Sequence, residues 1–438
     1  MDDISTAQLS SPSFDPLEGV QADGPAGAIP FVYGHPDPDL LPVEKIIAAA
    51  EQALRARGRL ALQYGPEQGY GPLLDYLIGK VERDEGLHIA RANIMLCAGA
   101  AQGLDTAARL FTRSGDVVLV EAPSYHEAIA TLRDHPVELR QVPMDDQGLV
   151  VEALAERLEV LKRAGRRVAF LYTIPTFQNP AGITLTAERR EALVELAAEQ
   201  GLLLVEDDVY RDLCYEGRVP PSLFELAGGR GVIRLGSFSK ILAPGLRLGW
   251  IIAEATVIRQ IATCGLKGNE GGANPFVAHV VAAFCQEGWL EPHITRLVAR
   301  YRARRDALVV ALEREMSDDV RWTRPAGGFF VWLTLPAPLE AEAVLAESTE
   351  RGVVFAPGVR FFAEGGGRRN LRLPFSFLSE AQMAEGVRIL AEVIREQRRP
   401  KAQNPKFKAN KTDHQTIRLS DQQRRQTNVK STLERLRD

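Results

Sequence analysis

The sequence predicts an α/β protein. A large domain would carry a mostly parallel seven-stranded sheet with helices on both faces, and a smaller α+β domain would follow. Three observations predict this. From about residue 45 to residue 260, helical patterns alternate with short runs that are apolar throughout, as strands covered on both faces are. Gly, Pro or Asp bound most of those runs, and the short connections suit a βαβ rhythm. Beyond about residue 290 the strands become fewer and alternate more, and a long charged helix intervenes.

The first 40 residues are rich in Pro, Gly and Asp and contain no Lys or Arg, which predicts an irregular arm with one short helix. Strands are expected at Ile94–Ala98, Val117–Glu121, Val137–Val142, Val168–Tyr172, Leu202–Glu206, Gly231–Gly236 and Leu248–Ile252. One helix shows the local logic. Thr186 is placed to cap the start of Ala187–Gln200, and Gly201 to close it. Leu193, Val194, Leu196 and Ala197 form its buried stripe. The long helix runs through Thr295–Glu315; PAGGFFVWLTLP, a helix near Ala341–Arg351 and RNLRLPFSF follow. The expected divisions are an arm, 1–44, contributing to the small domain; a large domain, 45–295; a small domain, 296–400; and a basic, disordered tail, 401–438.

Composition narrows the function classes. The chain has 438 residues, 45% apolar and 25% charged, enough to bury a large core without disulfides or metal. Its net charge of −4 divides unevenly: ten Lys/Arg against four Asp/Glu give the tail +6, which leaves −10 for the rest. An acidic body disfavours nucleic acid. No apolar run reaches the roughly 18 residues of a membrane span, and the acidic N-terminus has no export signal pattern. The four cysteines form no CxxC and have no zinc spacing, so free buried thiols, no metal site and a cytoplasmic location are expected.

Four segments carry chemistry. GSFSKILAPGLRLGW, residues 236–250, places Ser237, Ser239, Lys240 and Arg247 after a strand. A lysine there is costly unless paired or used, and it can form a Schiff base with a carbonyl cofactor. Hydroxyls and an arginine fork suit a phosphate. In YTIPTFQNPAG, Asn179 stands past a strand end, where its amide can donate to a phenolic oxygen. In LLLVEDDVYRDL, Asp207 ends an apolar strand and Tyr210 follows three later, with Asp208 a rival for the same role. A carboxylate at that edge suits a protonated pyridine nitrogen. In MLCAGAAQGLD, the amides at Gly99, Ala100 and Ala101 open a helix and form an anion site that is neither GxGxxG nor a P-loop. Tyr125, after the next strand, can stack on a flat ring. Taken together these groups meet the needs of one ligand, pyridoxal 5′-phosphate.

With those motifs in place, the sequence resembles the fold-type I pyridoxal-phosphate aminotransferases of class I/II, nearest the 2-aminoadipate, kynurenine and aromatic aminotransferase branch. The resemblance spans roughly residues 27–397 and is most specific in QNPAGITL, EDDVYRDL and GSFSKILAPGLRLGW. It implies Lys240 as the Schiff-base lysine and proton shuttle. It implies Asp207 at the pyridinium nitrogen, Asn179 and Tyr210 at the phenolic oxygen, and Tyr125 on the ring face. Ser237, Arg247 and the amides at Gly99–Ala101 would hold the phosphate. Arg372 resembles the arginine that grips the substrate α-carboxylate, with Asn179 assisting, and Gly34 the arm position lining the substrate site. Tyr64 resembles a tyrosine that reaches the phosphate of the neighbouring subunit, which implies a homodimer with shared active sites.

The sequence departs from the family pattern in three places. Ala100 and Ala101 replace side-chain donors in the phosphate turn, so weaker cofactor retention is expected. The arm has no Arg or Lys to meet a distal carboxylate, which leaves His35 as the specificity candidate. The basic tail extends past the family's usual end. The implied reaction is ping-pong transfer of an amino group from an L-amino acid (aromatic, bulky apolar or 2-aminoadipate-like) to a 2-oxo acid, 2-oxoglutarate first. Phe329 and Phe330 in GGFFVWL suggest an apolar or aromatic donor, or serve as core. A decarboxylase, β-lyase or synthase using the same cofactor is the alternative, and a cofactor-binding regulatory module a more remote one.

Overall fold

Two sheets carry the chain, and each is laid out by apolar strand runs. The computed structural model describes residues 27–265 and 272–398. The arm residues before 27 and the basic tail 401–438 lie outside the described residues.

The large sheet contains β2 (Ile94–Cys97), β3 (Val117–Ala122), β4 (Glu138–Asp145), β5 (Gly148–Leu149), β6 (Val168–Thr173), β7 (Leu203–Asp207), β8 (Val232–Ser237) and β9 (Gly249–Ile252). Their order is β2-β9-β8-β7-β6-β3-β4-β5. Neighbours from β8 through β4 are parallel, and β9 is antiparallel to both β8 and β2. Six strands, β2, β3, β4, β6, β7 and β8, therefore end on one edge, and β5 and β9 begin there.

Successive side chains of a strand face opposite sides, and here both sides are covered. Leu96, Val117, Leu119, Leu171, Leu204 and Val232 join one core cluster. Met95, Val118, Val120, Phe170, Val205, Ile233 and Leu235 join the other. Each such side chain contributes about 1.5–3 kcal/mol on full burial. That is why these runs read as apolar throughout.

The smaller sheet contains β1 (Ile29–Phe31), β10 (Arg321–Trp322), β11 (Phe330–Thr334), β12 (Val353–Pro357) and β13 (Asn370–Pro374). The order is β1-β12-β13-β11-β10, with only the β1–β12 pair parallel.

Four expectations need correction. The large sheet has an eighth strand, the two-residue β5, too short to show a period. The arm is not wholly irregular: Ile29–Phe31 pairs with Val353–Phe355, besides the short helix Pro38–Leu40. The long helix starts at Leu290 rather than Thr295. Of the cysteines, Cys97 and Cys285 are buried, but Cys214 and Cys264 are part-exposed.

Helix Ala187–Gln200 has the predicted bounds. Thr186 Oγ1 accepts from the Arg189 amide at 3.4 Å, and Gly201 takes a left-handed φ of 62°. Leu193 and Ala197 are buried while Val194 and Leu196 are only half so. The stripe is completed by Arg190, fully buried against expectation. It donates to the carbonyls of Leu185, Pro175 and Pro221 at 2.9, 2.7 and 3.0 Å. These oxygens replace its water and tie the helix to the loop after β6.

Candidate active site

The sheet edge gathers the predicted groups. Gly99 follows β2 with a φ of 90°, and a Cβ there would stand 2.8 Å from the Arg247 guanidinium. Only glycine meets both demands. Helix Ala100–Phe111 starts at once, so the amides of Ala100 and Ala101 are free of intrahelical partners. Because β9 runs against its neighbours, Arg247 reaches the same edge from the strand's start. Among the described residues its guanidinium donates to the carbonyls of Ala98 and Pro244, each at 3.3 Å, and the side chain is exposed. Ser237 ends β8 and lies 2.9 Å from the Ser239 hydroxyl. Amides, hydroxyls and a guanidinium thus face one spot, an anion site by chemistry.

At the centre of the edge, the pleat separates the three acidic residues of β7 and its end. Glu206 turns to the amides of Leu223 and Phe224. Asp208 turns away as well, accepting from Arg234 Nη2 at 2.8 Å within a group that includes Arg211 and Glu85. Asp207 alone faces the recess. Tyr172 donates to its Oδ2 at 2.6 Å, while Oδ1 is buried and makes no hydrogen bond of normal geometry. Burial raises the Asp207 carboxyl to about 6, against the pull of Tyr172 and of Lys240, with Asp208 adding to the rise. Such a buried acceptor fits a cationic N–H. Of the two rival aspartates, Asp208 is taken up by Arg234 and Asp207 is the one left facing the recess.

Lys240 projects beside it. Its Nζ donates to the Gly34 carbonyl at 3.1 Å and lies 5.7 Å from the Phe329 ring and 5.9 Å from the Tyr210 ring. Burial lowers its ammonium to about 8, with Glu127 opposing and Arg372 assisting. Tyr210 is buried, with its hydroxyl held to Asn179, and burial raises its pKa. Tyr125 opens the helix His126–Arg133, edge-on to His126.

Arg372, in the middle of β13, closes the recess from the small sheet. It donates to Asn179 Oδ1 at 2.9 Å and to the Val32 carbonyl at 2.8 Å. Its Nε is buried without a partner of normal geometry. The guanidinium lies 4.4 Å from the Phe330 ring centroid and 4.9 Å from that of Phe361. Burial lowers it to about 10, still a cation at neutral pH. Gly34 sits so close to Phe330 that a Cβ would come within 2.6 Å of the ring. Phe330 therefore lines the recess, whereas Phe329 packs on Tyr210 and Tyr301 as core. Tyr64 is not at this recess; it stands 75% exposed on the surface.

The sequence reading missed Tyr172, the donor that holds Asp207. A hydroxyl inside an apolar strand was its signal. It also missed Glu121, fully buried and receiving Thr173 Oγ1, the Ile174 amide and Gln178 Nε2. That carboxyl anchors the loop carrying Asn179, and burial pushes its pKa up.

The donor set fits pyridoxal 5′-phosphate: an anion site, an acceptor for a ring N–H, hydroxyl and amide donors, and one amine. Comparisons with known proteins agree. Residues 33–390 match the family model described as aminotransferase class I and II. The chain is 39% identical to aromatic-amino-acid aminotransferase 1 of Thermococcus litoralis, over 84% of this chain and 88% of the relative. It is 39% identical to 2-aminoadipate transaminase of Thermus thermophilus, over 84% of this chain and 90% of the relative. The crystal structure of LysN, an α-aminoadipate aminotransferase of Thermus thermophilus complexed with N-(5′-phosphopyridoxyl)-L-leucine, matches with a TM-score of 0.77 at 38% identity, covering 84% of this chain and 92% of that one. The chain belongs to the class I and II aminotransferases and is a pyridoxal-phosphate enzyme of fold type I.

Proposed function

We propose that this enzyme moves the amino group of an aromatic or bulky apolar L-amino acid to a 2-oxo acid in a ping-pong cycle, with Lys240 at its centre. The observation carrying the reading is Arg372, a buried guanidinium seated between two phenyl rings and facing the same recess as Lys240 and Asp207. The cofactor supplies an electron sink for charge developing at the substrate Cα. Lys240 Nζ holds the cofactor at its aldehyde and takes and returns the Cα proton. Asp207 keeps the ring nitrogen protonated. Asn179 and Tyr210 donate to the phenolic oxygen, and Tyr125 covers the ring face. Ser237, Arg247 and the amides at Gly99–Ala101 hold the phosphate. Arg372 grips the α-carboxylate beside Gly34, which opposes decarboxylation because the carboxylate is held rather than released. The same reading divides the chain into the arm, 1–44, the large domain, 45–295, and the small domain, 296–400; the two separate sheets support it.

The test is the visible spectrum of the holoenzyme with amino acids added singly. The cofactor band should vanish with productive donors and return with a 2-oxo acid. Release of carbon dioxide or ammonia without an amine-form cofactor would favour the decarboxylase or lyase reading. Replacing Arg372 with methionine should lower kcat/KM about 100-fold or more, chiefly through KM, because a bidentate charged contact is lost. Arg372→Lys should recover only part, since one ammonium cannot replace the fork. Capture of the cofactor by the cofactor-free protein should accelerate as pH rises through about 8, where Lys240 sheds its proton; stopped-flow absorbance measures this.

The reading includes a homodimer. Val43, Ile47, Leu60, Leu62 and Tyr64 are exposed on or just after the helix Val43–Ala61. An apolar face of this kind suits a second copy of the chain, and Tyr64 would then reach the neighbour's phosphate. Co-expressed Lys240→Ala and Tyr64→Ala chains should regain activity that neither homodimer has, because one mixed site is intact. No gain would remove Tyr64 from the site. Among the described residues, no helix is long and apolar enough to cross a membrane.

A further inference from the structure

The arm between β1 and the short helix Pro38–Leu40 is tied down by a buried charge pair. Arg304 Nη2 donates to Asp37 Oδ2 at 2.6 Å, and the two residues are 4% and 5% exposed. The Asp37 amide donates to the Tyr301 hydroxyl at 3.2 Å. Tyr301 and Arg304 stand three residues apart on the helix Leu290–Glu315, so one face of it receives the arm. The other Asp37 oxygen accepts from the Asp39 amide at 3.0 Å and caps the short helix.

The same guanidinium reaches the strand that carries Arg372. Arg304 Nη1 donates to the carbonyl of Ser376, two residues past β13, at 2.5 Å. Ser376 Oγ in turn donates to the His35 carbonyl at 2.7 Å. Arg304 therefore clamps one end of the arm to the exit of β13, while pairing of β1 with β12 holds the other end. Between these ties, the Val32 carbonyl accepts from Arg372 Nη2 at 2.8 Å and the Gly34 carbonyl from Lys240. In the holoenzyme Lys240 is committed to the cofactor, so the arm's lasting contact is with Arg372. Among the described residues, the other hydrogen-bond acceptor of Arg372 is Asn179 Oδ1. Every one of these groups belongs to one subunit.

A buried ion pair is a poor source of stability, because apolar groups of similar volume often serve as well. What it supplies is position, since a guanidinium fork fixes direction as well as distance. Resting on the aminotransferase reading above, we propose that Asp37 and Arg304 are positioning residues for substrate binding: their ion pair holds the arm in register with β13, so that the Val32 carbonyl aims Arg372 at the α-carboxylate.

Two holoenzyme variants test this. Asp37→Asn keeps the helix cap and removes the charge. Asp37→Leu combined with Arg304→Met removes both charges and strands neither, so it should melt close to the wild type. The donor is L-phenylalanine, or whichever amino acid discharges the wild-type cofactor band fastest. In both variants KM should rise about tenfold while kcat stays within about threefold, because Arg372 is misaimed rather than lost. The dissociation constant of the donor's α-methyl analogue, which lacks the Cα hydrogen and binds without turnover, should rise by the same factor. Amide hydrogen exchange over residues 32–37 should quicken. In an Arg372→Met background, Asp37→Asn should add less than about twofold to either constant, since both act through one contact.

An unchanged KM in the double variant would overturn the proposal, and so would a full tenfold loss persisting beside Arg372→Met. A lower melting temperature in Asp37→Asn with KM intact would mark the pair as structural only. If Asp37→Asn does not fold, the double variant decides. Turnover of amino acids with any of these results defeats only this inference. A holoenzyme that no amino acid converts to the amine form defeats the aminotransferase reading with it.

Discussion

Lys240→Ala should lower transamination by about 10⁴-fold or more, the upper range for removing a positioned acid–base group and larger still because the covalent anchor goes too. No neighbour can substitute. The other cations of the recess, Arg247 and Arg372, are guanidiniums, which neither give up a proton at neutral pH nor bond an aldehyde readily. The cofactor should nevertheless still bind, because its phosphate contacts do not involve Lys240. Borohydride treatment should therefore fix the cofactor covalently to the wild-type chain at Lys240 and leave the variant unlabelled. Partial rescue by a small external amine, with an unchanged melting curve, would show that the loss is chemical. Substantial activity in the variant would remove Lys240 from its role.

Asp207→Asn should act in opposite directions on catalysis and on stability. Catalysis should fall by about 10³-fold, as the ring nitrogen loses its charged partner. The cofactor-free protein should instead become more stable. Asp207 rises from an ordinary carboxyl value of 3.8 to about 6 in the fold, which disfavours the buried carboxylate. A raised folded value means that this group's stabilising contribution is complete below about pH 4 and is lost as pH climbs through about 6. By pH 7 the charged side chain costs on the order of 3 kcal/mol. Asparagine keeps an oxygen for the Tyr172 hydroxyl and never ionises. The cofactor-free variant should thus melt above the wild type at pH 7, with the gap closing near pH 4. With cofactor bound, the order at pH 7 should reverse. Equal melting at both pH values, in both forms, would mean that Asp207 is not held as a buried charge.

Asp207 also shows where sequence reading stops. The apolar run ending in Glu206-Asp207-Asp208 marked a strand edge plainly, because both faces of this sheet are covered. Which aspartate faces the recess depends on the partner of each face. That partner, Arg234 for Asp208, comes from the neighbouring strand. The site lysine, the two arginines and Asn179 were legible because their residue types are costly where they stand unless used. Tyr172 and Glu121 were not, since each looks like part of an apolar strand until its hydrogen bonds are known. The strands β1 and β5 escaped notice for another reason: two or three residues show no period, and pairing with distant segments defines them.

The direction of the strands has a practical consequence for building on this molecule. All the groups of the large sheet's recess sit on one edge, so the turns entering β3, β6 and β8 lie at the other. Gly115, Gly165 and Gly228 occupy those turns, and open space stands where a side chain would be. A fluorophore, surface tether or inserted peptide placed in these turns stays a full strand length from the reacting atoms. The enzyme thus presents one edge for chemistry and a second edge as a handle.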